Sequence, residues 1–201
     1  IKRLVWLLIG FAVGVTIVAT AAVQAGLVAL AIVPSSDIGF MLMAAASLVV
    51  AIASMALLST QIASSVQGTL RVLPTGATIG WSALVGVVVF LATILLQFSL
   101  ALLLLLVPVV LTFGLATLPL VAAGRHPLAG FRAWRSAPAR SVLVVLTSMI
   151  AIYVSYLASI ALGLLITGWL GAGTTWIAFG SVAALLLWWW SVRALRGRPQ
   201  D

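Results

Sequence analysis

The chain of 201 residues is 65% hydrophobic and only 6% charged, and its ten Lys or Arg residues outnumber two Asp or Glu residues. A soluble domain carries about 25% charged residues, so a water-soluble globular domain is excluded and the surplus apolar surface must face lipid. The absence of cysteine excludes disulfides and thiolate metal sites. The composition therefore predicts one all-α integral membrane domain over residues 1–201.

Long apolar stretches define the predicted elements, because one crossing of a bilayer takes about 20 such residues. The first stretch is long enough to tilt, and it ends at a Pro-Ser-Ser-Asp sequence. A polar loop with Gly and Pro follows the second stretch, and an Arg-rich loop follows the fourth. Six spans are predicted, over residues 4–33, 38–60, 77–97, 100–124, 141–168 and 174–192.

The region 77–124 has no charge and no obvious loop. As one helix it would be about 70 Å long, which is far too long for a single crossing. As two spans, it turns near Gln97–Ser99, and then all ten cations fall on one side of the membrane. Because basic residues collect on the cytoplasmic side, this pattern predicts six transmembrane helices with both termini cytoplasmic.

The predicted location is the cytoplasmic membrane of a bacterium. Nine Arg against one Lys, with abundant Ala, Val, Leu and Gly, is typical of a GC-rich genome such as that of an actinobacterium. The eight Trp residues all fall near predicted span ends, where an interfacial aromatic belt is expected.

The loop between spans four and five holds four of the ten basic residues. His126-Pro127 is expected to start a short helix, since Pro suits the first helical position. Two interpretations remain open: a loop that fixes topology on anionic lipid, with about 1 kcal/mol gained per Arg near the surface, or a site for a protein partner or phosphate ligand. The candidate contact residues are Arg125, Phe131, Arg132, Trp134, Arg135 and Arg140.

Ionisable residues are absent from all six predicted spans, and the two acids are Asp37 and Asp201. Ion-coupled transport usually uses buried ionisable groups, and intramembrane hydrolysis needs a nucleophile with a base, or a metal. The sequence therefore predicts a non-enzymatic protein, with no cofactor, no metal and no nucleic-acid partner.

Uncharged polar residues form a predicted intramembrane seam in span five, with one further member in span one. A phenol in hydrocarbon needs a hydrogen-bond partner, so at least one of the two Tyr hydroxyls is expected to bond to a neighbouring helix or a ligand. The seam can serve interhelical hydrogen bonding, at about 0.6 kcal/mol each, or line a cavity for a neutral or amphiphilic ligand. Its predicted members are Gln24, Tyr153, Ser155, Tyr156 and Ser159.

The stretch from about Ala101 to Met149, with its core LPLVAAGRHPLAGFRAWRSA, resembles the membrane domain found beside some bacterial glycerophosphodiester phosphodiesterases, and its stand-alone relatives. The likeness lies in Pro127-Leu128, Phe131-Arg132 and Trp134-Arg135-Ser136 between two apolar spans. It implies a six-span membrane protein without catalytic residues, because the phosphodiesterase chemistry belongs to a separate soluble domain. The size and span count are also similar to substrate-capture subunits of energy-coupling-factor transporters.

Two functions follow as expectations. The first is an accessory or structural subunit of a larger bacterial membrane complex, with other membrane subunits or further copies of the chain as partners. The alternative is a transport component that binds a lipid or a small neutral solute. Anionic membrane lipids at the cytoplasmic face are expected partners in either case.

Overall fold

The computed structural model describes residues 2–31, 37–95, 100–132 and 138–196. Over these ranges the chain forms six α-helices and no strand, which confirms the all-α prediction. The helices are α1 (Lys2–Ala31), α2 (Asp37–Gln67), α3 (Gly76–Leu95), α4 (Leu100–Ala122), α5 (Pro138–Leu165) and α6 (Gly168–Arg196), with a 3₁₀ helix (Pro127–Arg132) between α4 and α5.

Four helices carry stretches long and apolar enough to cross a membrane, which confirms the membrane character of the chain. These stretches lie in α1, α2, α5 and α6, while α3 and α4 contain the shorter apolar segments Gly76–Ala92 and Leu106–Ala122. The uncharged region forms two separate helices. The predicted turn at Gln97–Ser99 lies outside the described residues.

Helix α2 continues to Gln67, beyond the predicted end at Thr60. The predicted span ends there because a polar loop with Gly and Pro follows. In the structure the polar side chains of residues 59–65 are buried, and three of their hydroxyls donate to carbonyls of the same helix, as Ser65 Oγ does to Ile62 O at 2.7 Å. The buried polar residues of this segment are Ser59, Thr60, Gln61, Ser64 and Ser65.

The connection from α5 to α6 is shorter than predicted. The stretch 168–176, expected to turn the chain, is helical, and the turn consists of residues 166 and 167. Gly168 has a φ of 72°, which a glycine adopts without steric cost. A Cβ at Gly171 would overlap with Ile166 O. The chain therefore reverses so tightly that a side chain at position 171 has no room.

The Arg-rich loop folds back onto the end of α4. This helix ends with the hydrogen bond from Arg125 N to Leu120 O, at 2.8 Å, around a left-handed Gly124 with φ 73°, which is a Schellman ending. The 3₁₀ helix then starts at Pro127, which confirms the predicted short helix. A Cβ at Gly130 would lie 2.9 Å from Leu120 Cδ1, so loop and helix are in close contact.

Helix α6 is central and packs against α1, α2, α4 and α5, while α3 packs on α2 and α4. Tight packing is concentrated at one end of the bundle, in the second halves of α2, α4 and α6 and the first half of α5. In α5 only Ser141, Val144 and Ser148 are buried. The hydrophobic cluster at that end consists of Leu58, Ile62, Leu115, Ala116, Leu118, Val144, Leu186, Leu187 and Trp190.

Candidate ligand cavity

A cavity of about 310 Å³ lies between α6 and the other helices, next to the hydrophobic cluster. Leu58, Leu115 and Leu186 belong both to the cluster and to the cavity wall, so the cavity begins where the tight packing ends. Among the described residues, five helices contribute to its wall and α3 does not. The contributions come from near the midpoints of α1, α2, α4 and α5, so the cavity lies at mid-length of the helices, and most of its lining residues are half-buried, so it is partly open.

One face of α2 shows how the helices build this wall. Ala51, Ser54, Met55 and Leu58 line the cavity, and their spacing of three and four residues places them on one side of a helix. Opposite them, α6 contributes Phe179, Gly180 and further apolar residues. A Cβ at Gly180 would lie 3.0 Å from Ile17 Cγ2 of α1, so α1 and α6 approach each other closely at this glycine. The wall is therefore shaped by small residues where helices approach each other.

The cavity is apolar, and no charged residue of the described part of the chain lines it. Its polar side chains are Thr20, Ser54, Ser155 and Trp176. Thr20 Oγ1 donates to Thr16 O at 2.7 Å and Ser155 Oγ donates to Ala151 O at 2.7 Å, so both protons stay within their own helices. Ligand sites of proteins typically measure about 300–1,000 Å³ and combine apolar walls with few polar groups. The cavity can therefore hold a neutral apolar molecule.

The predicted seam does not come together as one surface. Gln24 is buried between α1 and α2, where its amide pairs with Ser47: Gln24 Nε2 donates to Ser47 O at 2.9 Å, and Ser47 Oγ donates to Gln24 Oε1 at 2.7 Å. Ser159 Oγ bonds only within α5, to Tyr156 O. Among the five predicted members, Ser155 alone lines the cavity.

The two phenols of α5 are expected to bond to a neighbouring helix or a ligand, and the bond to a ligand stays a prediction. Tyr156 is 42% exposed and Tyr153 is half-buried. Within the described part of the chain neither hydroxyl makes a hydrogen bond to a neighbouring helix. Both rings lie beyond the tightly packed first part of α5, on the half of the helix that has no buried residue. The phenols therefore do not connect α5 to the bundle.

Other polar pairs join the helices, and the sequence did not predict these pairings. Thr16 of α1 and Gln61 of α2 bond through Gln61 Nε2 and Thr16 Oγ1 at 3.0 Å, with both side chains buried. Trp190 Nε1 donates to Ser148 Oγ at 3.0 Å, and Arg193 donates to Ser141 Oγ. Because Trp190 is only 3% exposed, it belongs to the core and not to the predicted interfacial belt.

The Arg-rich loop is described only in part. Arg125 and Arg140, at its two ends, are exposed, as is His126. Phe131 and Arg132 belong to the 3₁₀ helix, but their side chains lie outside the described part of the chain. Trp134 and Arg135 lie outside it altogether. Whether these residues meet lipid or a partner stays a prediction.

Among the described residues, no group of three or more His, Cys, Asp or Glu is placed to hold a metal ion. Comparison with protein-family models, curated proteins and solved structures gives no match for this chain. Fold and cavity thus define a class only: an all-helical protein with membrane-spanning helices around an apolar central cavity.

Proposed function

We propose that the protein holds a lipid-like or small neutral molecule inside the membrane, as a non-enzymatic transport component. The central cavity is the observation that carries this proposal. The apolar space measures about 310 Å³, which is within the size range of ligand sites, and its half-buried wall leaves it accessible to a molecule in the surrounding lipid. A charged occupant would lose its hydration against a wall without charged residues, so the occupant is neutral.

We further propose that all six helices cross the cytoplasmic membrane of a bacterium. Helices α3 and α4 contain 20 and 23 residues, which at 1.5 Å per residue span about 30–35 Å, the thickness of a hydrocarbon core. Arg71 follows α2, Arg125 follows α4, Arg140 begins α5 and Arg193 lies near the end of α6. Successive crossings bring these positions to one end, which the positive-inside rule assigns to the cytoplasm.

This topology is testable by cysteine labelling, since the chain contains no cysteine. Leu73→Cys, at a site 74% exposed between α2 and α3, is expected to react with a membrane-impermeant maleimide only after cells are permeabilised. Thr167→Cys, in the turn between α5 and α6, is expected to react in intact cells. Labelling of Leu73→Cys in intact cells would contradict the six-span arrangement with cytoplasmic termini.

Filling the cavity tests the proposed function. Ala51 lines the cavity, whereas Ala53 on the same helix is exposed. Ala51→Phe is expected to lower the amount of co-purified ligand about fivefold or more, because the new ring fills ligand space and a clash between the two costs about 1–3 kcal/mol. Ala53→Phe adds the same ring on the lipid side and is expected to retain the wild-type amount. Purification in mild detergent followed by native mass spectrometry measures both.

The outcomes of that experiment decide the proposal. A small molecule lost from folded Ala51→Phe protein but kept by Ala53→Phe protein supports it. Equal retention by both variants shows that the molecule binds elsewhere, and wild-type protein without any bound small molecule contradicts the proposal. Thermal unfolding of each variant in the same detergent shows whether a loss reflects misfolding.

A second candidate is an accessory subunit of a larger membrane complex. The favouring observation is that α5 has no buried residue beyond Ser148, so much of this helix is available for lateral contact with another membrane protein. The resemblance of region 101–149 to phosphodiesterase-associated membrane domains is in keeping with such a role. The same native preparation tests it, because a stoichiometric co-purifying protein favours this candidate over ligand binding.

The exposed Arg125 and Arg140 suit anionic lipid head groups at the proposed cytoplasmic face under either candidate. Near such a surface each cation gains about 1 kcal/mol. Attraction of this kind is screened over about 8 Å at physiological salt. It orients the loop on the membrane without requiring a specific partner.

A further inference from the structure

Two donors on the cavity wall have no hydrogen-bond partner among the described residues: the Ser54 hydroxyl and the Trp176 indole N–H. They differ in this from Thr20 and Ser155, which line the same cavity and donate to carbonyls of their own helices. Ser54 and Trp176 are both half-buried and both belong to the cavity wall. Two residues with an unpaired donor thus line the cavity, one on α2 and one on α6.

Ser54 differs from Ser59 and Thr60 of the same helix. A Ser or Thr within a helix commonly donates to the carbonyl three or four residues earlier. Two neighbours on α2 do so: Ser59 Oγ donates to Met55 O at 2.6 Å, and Thr60 Oγ1 donates to Ala56 O at 2.9 Å. An unpaired hydroxyl in hydrocarbon surroundings is unfavourable. A bound molecule that accepts a hydrogen bond removes this cost.

The second donor narrows the chemistry of the occupant. An indole N–H donates and does not accept, so only an acceptor satisfies it. Trp176 also packs edge-on against Phe179, with ring centroids 6.4 Å apart and planes at 61°. Both rings line the cavity, so an aromatic pair stands beside the indole N–H on an otherwise aliphatic wall. These surroundings suit an uncharged acceptor on an apolar skeleton.

We propose that the cavity selects a neutral hydrocarbon compound with a carbonyl oxygen, to which Ser54 Oγ and Trp176 Nε1 donate. This inference rests on the proposed function and adds the class of ligand to it. Esters, ketones and quinones share the required carbonyl acceptor. Fatty acids and phosphates are disfavoured, because the wall has no cation to pair with their charge.

Two matched photoreactive probes test this selection. One is a long-chain ketone with a terminal diazirine, and the other has a methylene group in place of the carbonyl. With full-length protein in mild detergent, the ketone is expected to label residues of the α2 and α6 cavity walls roughly three- to tenfold more efficiently than the hydrocarbon. A diazirine ester and a diazirine quinone, used in the same way, rank the three carbonyl sources.

Substitution of the donors completes the test. Ser54→Ala and Trp176→Phe are each expected to lower ketone labelling toward the hydrocarbon level and to leave hydrocarbon labelling unchanged. Ser181→Ala is the control, since Ser181 is exposed on α6 and bonds to Ile177 O outside the cavity wall. It is expected to retain the wild-type preference.

The outcomes separate the two proposals. Equal labelling of cavity residues by ketone and hydrocarbon in the wild-type protein overturns the carbonyl inference and leaves the cavity function standing. A ketone preference that survives in both donor variants overturns it as well. Failure of every probe to label the cavity walls contradicts the proposed function itself.

Discussion

Replacing Gly171 by Ala is expected to destabilise the protein by about 1–3 kcal/mol, the usual cost of overpacking. The added Cβ would overlap with Ile166 O, and this oxygen belongs to the backbone of the tight turn between α5 and α6. A flexible side chain could move aside, but here the turn itself must open. Since α6 is the central helix of the bundle, its displacement disturbs packing against α1, α2, α4 and α5.

Gly163→Ala is the matched control for this change. Gly163 lies in α5 just before the same turn, and an added Cβ there meets nothing within 4 Å. Ala has a higher helix propensity than Gly by up to about 1 kcal/mol, so this variant is expected to be as stable as the wild type or slightly more stable. Thermal or SDS unfolding of purified protein measures both variants. Equal stability of Gly171→Ala and Gly163→Ala would contradict the tight turn.

Gly114→Ala is expected to weaken the contact between α3 and α4 by a similar amount, about 1–3 kcal/mol. The new Cβ would lie 2.6 Å from Val85 Cγ1. Val85 is buried, and its branched side chain has few alternative rotamers in a helix. The two helices must therefore separate or rotate to accept even one methyl group.

A second substitution distinguishes this local clash from a general loss of helix packing. Val85→Ala removes the methyl groups that the new Cβ meets, so the double variant is expected to regain part of the lost stability. Directly contacting residues show coupling of about 0.5–3 kcal/mol in such cycles. Gly80→Ala, on α3 with nothing within 4 Å of its Cβ, is the control. Purely additive effects of the two substitutions would contradict the close approach.

The number and type of helices could be predicted from the sequence because long apolar stretches and clustered cations report directly on membrane crossing. The C-terminal end of α2 and the N-terminal end of α6 could not be predicted. Polar residues at 59–65 resemble the start of a loop when lipid is the assumed surroundings, although they pack against protein. A polar segment with buried partners such as Gln61 and Thr16 continues a helix as readily as an apolar one.

The cavity could not be predicted, because its walls use the same residue types as the lipid-facing surfaces. Ala51 lines the cavity and Ala53 is exposed, yet nothing in their chemistry distinguishes them. In a soluble helix an apolar stripe indicates the packed face, but a helix that is apolar all round gives no such indication. The Tyr and Ser residues of α5 led to the predicted polar seam. Of the seam's predicted members, Ser155 alone lines the cavity.

The uneven packing along the helices has a mechanical consequence. At one end, the hydrogen bond from Trp190 to Ser148 and the hydrophobic cluster that includes Leu187 hold α2, α4, α5 and α6 together. Toward the other end α5 has no buried residue beyond Ser148, so fewer contacts oppose its displacement there. If the cavity holds a molecule taken from the bilayer, as proposed, we expect the molecule to enter beside this loosely packed portion of α5.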